Sequence, residues 1–276
     1  MSFKSAITLR DQHKMPQLGF GVWQVPDEGA ESAVTEAFKV GYRSIDTAAI
    51  YQNESGVGRA IKKSGIPREE MFITTKLWND DQGYDKALKA FDVSLSKLGL
   101  EYVDLYLIHW PAPKRGLYLD SWKALIELKK QGRVKSIGVS NFMPENLKKI
   151  IDETGETPVL NQIELHPHFQ QKELRAFHEK HGIFTECWSP LGQGKLLSDS
   201  IIKAVATKHK KSAAQVILRW HLQSNFIVIP KSVTPSRIKE NFEVFDFALD
   251  NDDMSNIAAL DGSEGRIGPN PLTATF

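Results

Sequence analysis

Short apolar runs rich in Val, Ile and Leu recur along this chain, and nearly every one is followed by a longer stretch whose apolar residues return at helical spacing. That alternation constrains the fold more than any other feature, because strands separated by single helices have to lie parallel in one sheet. The runs fall at 18–20, 44–46, 71–75, 103–108, 134–139, 160–164, 184–188 and 227–229. Helical spacing occupies 28–40, 56–63, 84–98, 121–130, 144–153, 172–181, 200–224 with a break near Lys211 and Ser212, and 236–242. A doubly wound sheet would carry a phosphate loop after its first strand, yet neither GxGxxG nor GxxxxGK followed by Ser or Thr occurs. The pattern predicts an α/β fold, a (β/α)8 TIM barrel, with residues 1–276 forming one domain.

Punctuation agrees with that partition. Gly41 and Gly132 are placed as left-handed helix stops, while Pro67 and Pro144 stand where helices can begin. Residues 6–17 read as a β-hairpin turning at Asp11, Gln12 and His13, which would close the N-terminal mouth of the barrel. After Gly262 the chain is rich in Gly and Pro and is expected to be ordered only by docking.

Charge and cysteine narrow the partners. Thirty-five Lys plus Arg against 34 Asp plus Glu leave a formal net charge of +1, which removes the general electrostatic reason to expect nucleic acid or an anionic membrane. Any anion site must be local. The single cysteine, Cys187, excludes an intrachain disulfide, and no apolar stretch suits a leader or a membrane span. The expectation is a cytoplasmic monomer acting on a small molecule.

In such a barrel the active site forms at the C-terminal ends of the strands, so the polar residues closing each apolar run are the candidates. They are Asp46 with Tyr51, Lys76, His109, Ser140 with Asn141, Gln162 with Glu164, Trp188 with Ser189, and Lys231 with Ser232. Lys76 and Asp46 would project from neighbouring strands into a mouth lined by Trp23, Trp78 and Trp110, where unpaired charge is costly, so they are expected to pair. An ammonium beside the Tyr51 hydroxyl would lower its pKa from about 10 and suit it to protonate the oxygen of a reacting carbonyl. His109 could give that oxygen a second hydrogen bond.

Six segments in order carry a resemblance over residues 15–269: GYRSIDTAAIYQNE at 41–54, TTKLWN at 74–79, DLYLIHWP at 104–111, IGVSNF at 137–142, NQIELHP at 161–167 and IPKSVTPSRIKENF at 229–242. Together they resemble the aldo-keto reductases, most closely the bacterial 2,5-diketo-D-gluconate reductase type. The resemblance implies NADPH-dependent reduction of aldehydes, ketoaldehydes such as methylglyoxal, or keto sugar acids. It implies Tyr51 as general acid, Lys76 and Asp46 tuning it, and His109 orienting the carbonyl. Ser140, Asn141 and Gln162 would hold the nicotinamide carboxamide, and Trp188 would take the place of the tyrosine that many members stack on the ring. Gly21, Val22, Trp23, Ser189, Leu191 and Gln193 would line the rest of the cofactor, with the loop 191–193 over the pyrophosphate. Lys231, Ser232, Val233, Thr234, Arg237, Glu240 and Asn241 would grip the 2′-phosphate and adenine, two cations and a hydroxyl at a helix start making a phosphate site. Substrate contacts would come from Trp23, Tyr51, Trp78, His109 and Trp110 in an open pocket.

Plainer readings stand beside these. Asp46 and Lys76 could form a structural ion pair, or Lys76 a Schiff base in a lyase or aldolase; His109 could be a core histidine and the tryptophans packing. A barrel that binds the cofactor without turnover is a third possibility. The pairs His166/His168 and His178/His181 lack a third ligand, so no metal is expected, and Cys187 has no cation or histidine near it in sequence to make it a thiolate. The Lys62/Lys63, Lys129/Lys130, Lys148/Lys149 and Lys210/Lys211 pairs read as solvated helix faces.

Overall fold

The computed structural model describes residues 5–276. It opens with an antiparallel hairpin, β1 (Ala6–Thr8) and β2 (Lys14–Pro16), which turns through Gln12 at φ 71°. Eight parallel strands follow in chain order: β3 (Phe20–Gly21), β4 (Ser44–Asp46), β5 (Phe72–Leu77), β6 (Val103–Ile108), β7 (Val134–Ser140), β8 (Leu160–Glu164), β9 (Phe184–Trp188) and β10 (Ile227–Val228). Each pairs with its sequence neighbour, and Leu18 bridges back to Val228, so the sheet curls into a barrel. The seam is fastened by Gly19 N–H to Val228 O at 2.9 Å and Gly21 N–H to Pro230 O at 3.1 Å. A Cβ on Gly19 would come within 3.0 Å of Ile229 and Ser44, so the seam needs glycine for this close approach.

Between the strands run α1 (Asp27–Val40), α2 (Glu54–Lys63), α3 (Tyr84–Leu98), α4 (Tyr118–Lys130), α5 (Pro144–Thr154), α6 (Lys172–His181), α7 (Ser200–His209) and α8 (Ala213–Gln223), with α9 (Pro235–Phe242) and α10 (Asn251–Ala258) after β10. The break between α7 and α8 follows from Lys210 in the left-handed region and a capping box of Ser212 and Gln215 that restarts the helix. Pro144 opens α5 as expected, whereas Pro67 starts only a 3-10 turn. Gly132 is left-handed at φ 72°; Gly41 ends α1 at φ 120°, outside the left-handed helical well. The third run, read as 71–75, extends through Leu77, so Lys76 lies inside β5 and not beyond it. No helix was read at α10, which has few apolar positions and is held by its Asp250 cap.

Two layers of apolar packing result. Outward strand residues such as Ile45, Ile73, Tyr106, Ile137 and Ile163 meet the helices. Inward residues at the bottom, Phe72, Leu105, Leu107, Leu160 and Ile227, pack on Ile7, Leu9 and Met15 of the hairpin, which fills that end. The same two-residue period turns Asp46, Lys76, Gln162 and Glu186 inward at the upper level, where polar groups replace the apolar layer. Among the described residues, no helix is long and apolar enough to cross a membrane.

Candidate active site

At the C-terminal ends of the strands opens a cavity of about 1190 Å³. At its floor the Lys76 ammonium, fully buried, lies 2.5 Å from Asp46 Oδ1 and donates to the Thr47 carbonyl at 2.9 Å. Burial works against this charge, but the neighbouring Asp46 carboxylate foremost outweighs it, and the Lys76 pKa lies above its ordinary value. So held, Lys76 offers no lone pair, which disfavours Schiff-base chemistry.

Tyr51 sits in the short turn after β4, with Lys76 Nζ 5.1 Å from its ring centroid and its hydroxyl 3.5 Å from His109 Nε2. Its shift is opposite to the sequence expectation. Burial raises the phenol above its usual range, and Lys76 offsets only part of that rise. His109 is neutral: burial and then Lys76 hold its pKa well below the usual value, and its Nδ1 has no protein partner. The group therefore presents a neutral phenol and a neutral imidazole side by side above a buried ion pair.

Around it stand aromatic walls. Trp78 meets His109 edge-on at 5.4 Å and stacks on Phe276 at 5.8 Å, while Trp110 makes a T-shaped contact with Phe276 at 5.0 Å. Asn79 Nδ2 donates to the Phe276 carbonyl at 2.9 Å. Glu164 holds the tail lower down, accepting Ile267 N–H at 2.6 Å and Gly268 N–H at 2.8 Å. A Cβ on Gly268 would reach Trp188 at 2.5 Å, so glycine lets the tail run against the indole. The expected open mouth is thus walled on one side by a tail that carries no periodic pattern to announce it.

Next to the floor, Trp188 Nε1 donates to Asn141 Oδ1 at 2.8 Å, and Asn141 Nδ2 donates to His109 O at 3.0 Å. Gln162 Nε2 donates to Asp46 Oδ2 at 2.8 Å and to Glu186 Oε2 at 2.9 Å. Ser140 is buried behind Asn141, donating to the Gln162 carbonyl. At the far end Lys231, Val233, Thr234 and Arg237 are exposed around the uncapped start of α9, with Ser232, Glu240 and Asn241 beside them. Gly21, Trp23, Ser189, Leu191 and Gln193 line the middle.

Of the candidate residues, Lys76 and Ser140 lie buried behind the lining residues Asp46 and Asn141 to which they bond, and Val22 is not brought to the cavity. Its side chain is fully buried in the apolar core, and its carbonyl accepts from Asn53. Residues missed in the sequence include Gln24, Ile50, Pro190, Leu197, Pro269 and Phe276 on the wall, and Glu186 below it. Glu164 ended a strand and was noted, but nothing in the sequence marked it as the anchor of the tail. The other histidines are engaged elsewhere: His166 with Glu164, His168 with Asp199, His178 with Asn161 and Thr185. Among the described residues no cluster of three His, Cys, Asp or Glu is placed to hold a metal. Cys187 is buried, and burial followed by Glu186 pushes its thiol pKa far up.

The family model described as "Aldo/keto reductase family" matches residues 17–262. An aldo-keto reductase of Mycolicibacterium smegmatis is 56% identical over 270 residues, covering 98% of each chain. The methylglyoxal reductase DkgA of Escherichia coli (strain K12) is 54% identical over 273 residues, again covering 98% of each. A variant of Gox0644 solved in complex with NADPH superposes with a TM-score of 0.96 at 55% identity over 100% of both chains.

Proposed function

Because the chain belongs to the aldo/keto reductase family of oxidoreductases, we propose that it uses NADPH to reduce aldehydes, ketoaldehydes or keto sugar acids to alcohols. Methylglyoxal and 2,5-diketo-D-gluconate are the type substrates of this reading. The observation that carries it is the buried Lys76–Asp46 pair beneath the adjoining Tyr51 and His109, opening into an aromatic cavity.

The residues suit that cofactor. Lys231, Ser232, Thr234 and Arg237 gather two cations, two hydroxyls and helix N–H groups fit for the 2′-phosphate, and the flat Trp188 stands beside amide groups of Asn141 and Gln162. When bound, NADPH supplies the hydride that attacks the carbonyl carbon. Tyr51, kept protonated by burial, then gives its proton to the oxygen, and the phenolate left behind is stabilised by Lys76. His109 donates a hydrogen bond from Nε2 to the same oxygen and orients it, while Asp46 keeps Lys76 charged. Trp23, Trp78 and Trp110 exclude water from the reacting atoms.

The chain would act as one barrel domain, monomeric and cytoplasmic. Exposed Trp23, Ile50, Leu197, Val233 and Phe276 all belong to the cavity, whereas exposed Tyr84, Val93, Leu117 and Leu272 lie outside it.

The test is the decay of NADPH absorbance with methylglyoxal, aromatic aldehydes, ketoesters and 2,5-diketogluconate, with NADH in parallel. Tyr51→Phe is expected to lose about 10²- to 10⁴-fold in kcat while NADPH still quenches tryptophan fluorescence. Tight NADPH binding without turnover of any carbonyl would instead favour a binding protein.

A further inference from the structure

Glu186 of β9 is sealed inside the barrel, and no step of the proposed reduction uses it. Its carboxyl faces Asp46 from β4, Lys76 from β5, Tyr51 from the turn after β4 and Gln162 from β8, with the Cys187 thiol as chain neighbour. The Gln162 amide nitrogen stands between two carboxyl groups, 2.8 Å from Asp46 Oδ2 and 2.9 Å from Glu186 Oε2. Only nitrogen suits that place, since an amide oxygen would meet the ion-paired Asp46 carboxylate with no proton between them. Both N–H bonds point into the barrel, and the amide oxygen is what remains for the cavity that Gln162 lines.

We propose that Glu186 is a positioning residue for the reduction: by taking the second N–H of Gln162 it locks the amide, so that the oxygen receives the NH2 of the cofactor's carboxamide. The proposal rests on the reading of the site as an NADPH-dependent reductase, and it gives that site a second titrating group. Burial and then Asp46 push the Glu186 pKa up to about 8, against Gln162 and Lys76. Below that pH Glu186 is neutral and Asp46 and Lys76 balance; above it the buried cluster gains a negative charge. The added charge raises the Tyr51 pKa and makes it a weaker acid.

Wild type, Glu186→Gln and Glu186→Leu are compared. Gln can still accept from Gln162 but has no proton to lose, whereas Leu accepts nothing. The NADPH Kd, read from tryptophan quenching without any substrate, is expected to rise about 3- to 10-fold in Glu186→Leu and to stay within about twofold of wild type in Glu186→Gln. The kcat/KM of wild type is expected to fall above about pH 8, a descent that Glu186→Gln lacks. Equal Kd in all three, or the same alkaline descent in Glu186→Gln, overturns the proposal. If Glu186→Leu does not fold, the pH profiles of the other two decide. Should wild type bind NADPH and turn over no carbonyl, the reductase reading falls, and the Kd series still decides the role of Glu186.

Discussion

Arg237 and Lys231 are exposed cations on opposite sides of Thr234, at the uncapped start of α9. A guanidinium there can meet a phosphate with two hydrogen bonds, and NADH carries no 2′-phosphate to meet. Arg237→Ala is therefore expected to raise the NADPH KM about tenfold and leave the NADH KM unchanged; an equal rise for both cofactors would remove Arg237 from the proposed phosphate site. The group that gathers Asp46, Tyr51, Lys76 and His109 at the base of the cavity was legible because these polar residues lie in or just after apolar runs, where a polar side chain needs a reason. Glu186 was not, since one carboxyl within FTECW gives no sign of which way it points until the strand period sets it opposite Gln162. The sign of the Tyr51 shift was also beyond the sequence, because it depends on how completely the surrounding walls remove water.

At the scale of elements, α1 and α2 pack so closely that a Cβ on Gly56 would lie 2.0 Å from the Asp27 carbonyl oxygen, while the Gly56 N–H donates to Asp27 Oδ1 at 2.6 Å. Gly56→Ala should part the two helices and cost about 1–3 kcal/mol, read as a lower Tm. An unchanged Tm would mean the helices can separate freely. Helix α2 carries the turn with Tyr51 at its N-terminal side, so reduced turnover is expected to accompany the lost stability. Strands β4, β6, β8 and β9 and helices α3 and α6 were legible to the residue, since apolar spacing and glycine stops coincide there. The tail was not, because Gly268 and Phe276 are placed by contacts with Trp188, Trp78 and Trp110 that lie far away in sequence.

Across the whole molecule, buried histidines make stability depend on pH. His178 takes a hydrogen bond from Asn161 Nδ2 on Nε2 and contacts Thr185 through Nδ1; His221 donates from Nε2 to the Pro190 carbonyl. Burial lowers both pKa values to about 3. The unfolded chain takes up those protons first, near pH 6.5, so stability is complete above that pH and is lost as pH falls towards 3. Between pH 7 and pH 5 each histidine should cost about 2 kcal/mol, seen as a lower urea midpoint; equal midpoints at the two pH values would contradict it.

The seam between β3 and β10 also dictates an order of events during synthesis. Gln17, just ahead of β3, donates to the carbonyl of Leu222, 205 residues later, and Leu18 finds its bridge only in Val228. Until β10 has left the ribosome, both outer strands of the nascent sheet present unpaired backbone edges, open to any other strand. Closure is a late, long-range step, and the chain remains exposed to association with its own copies until its last strand arrives.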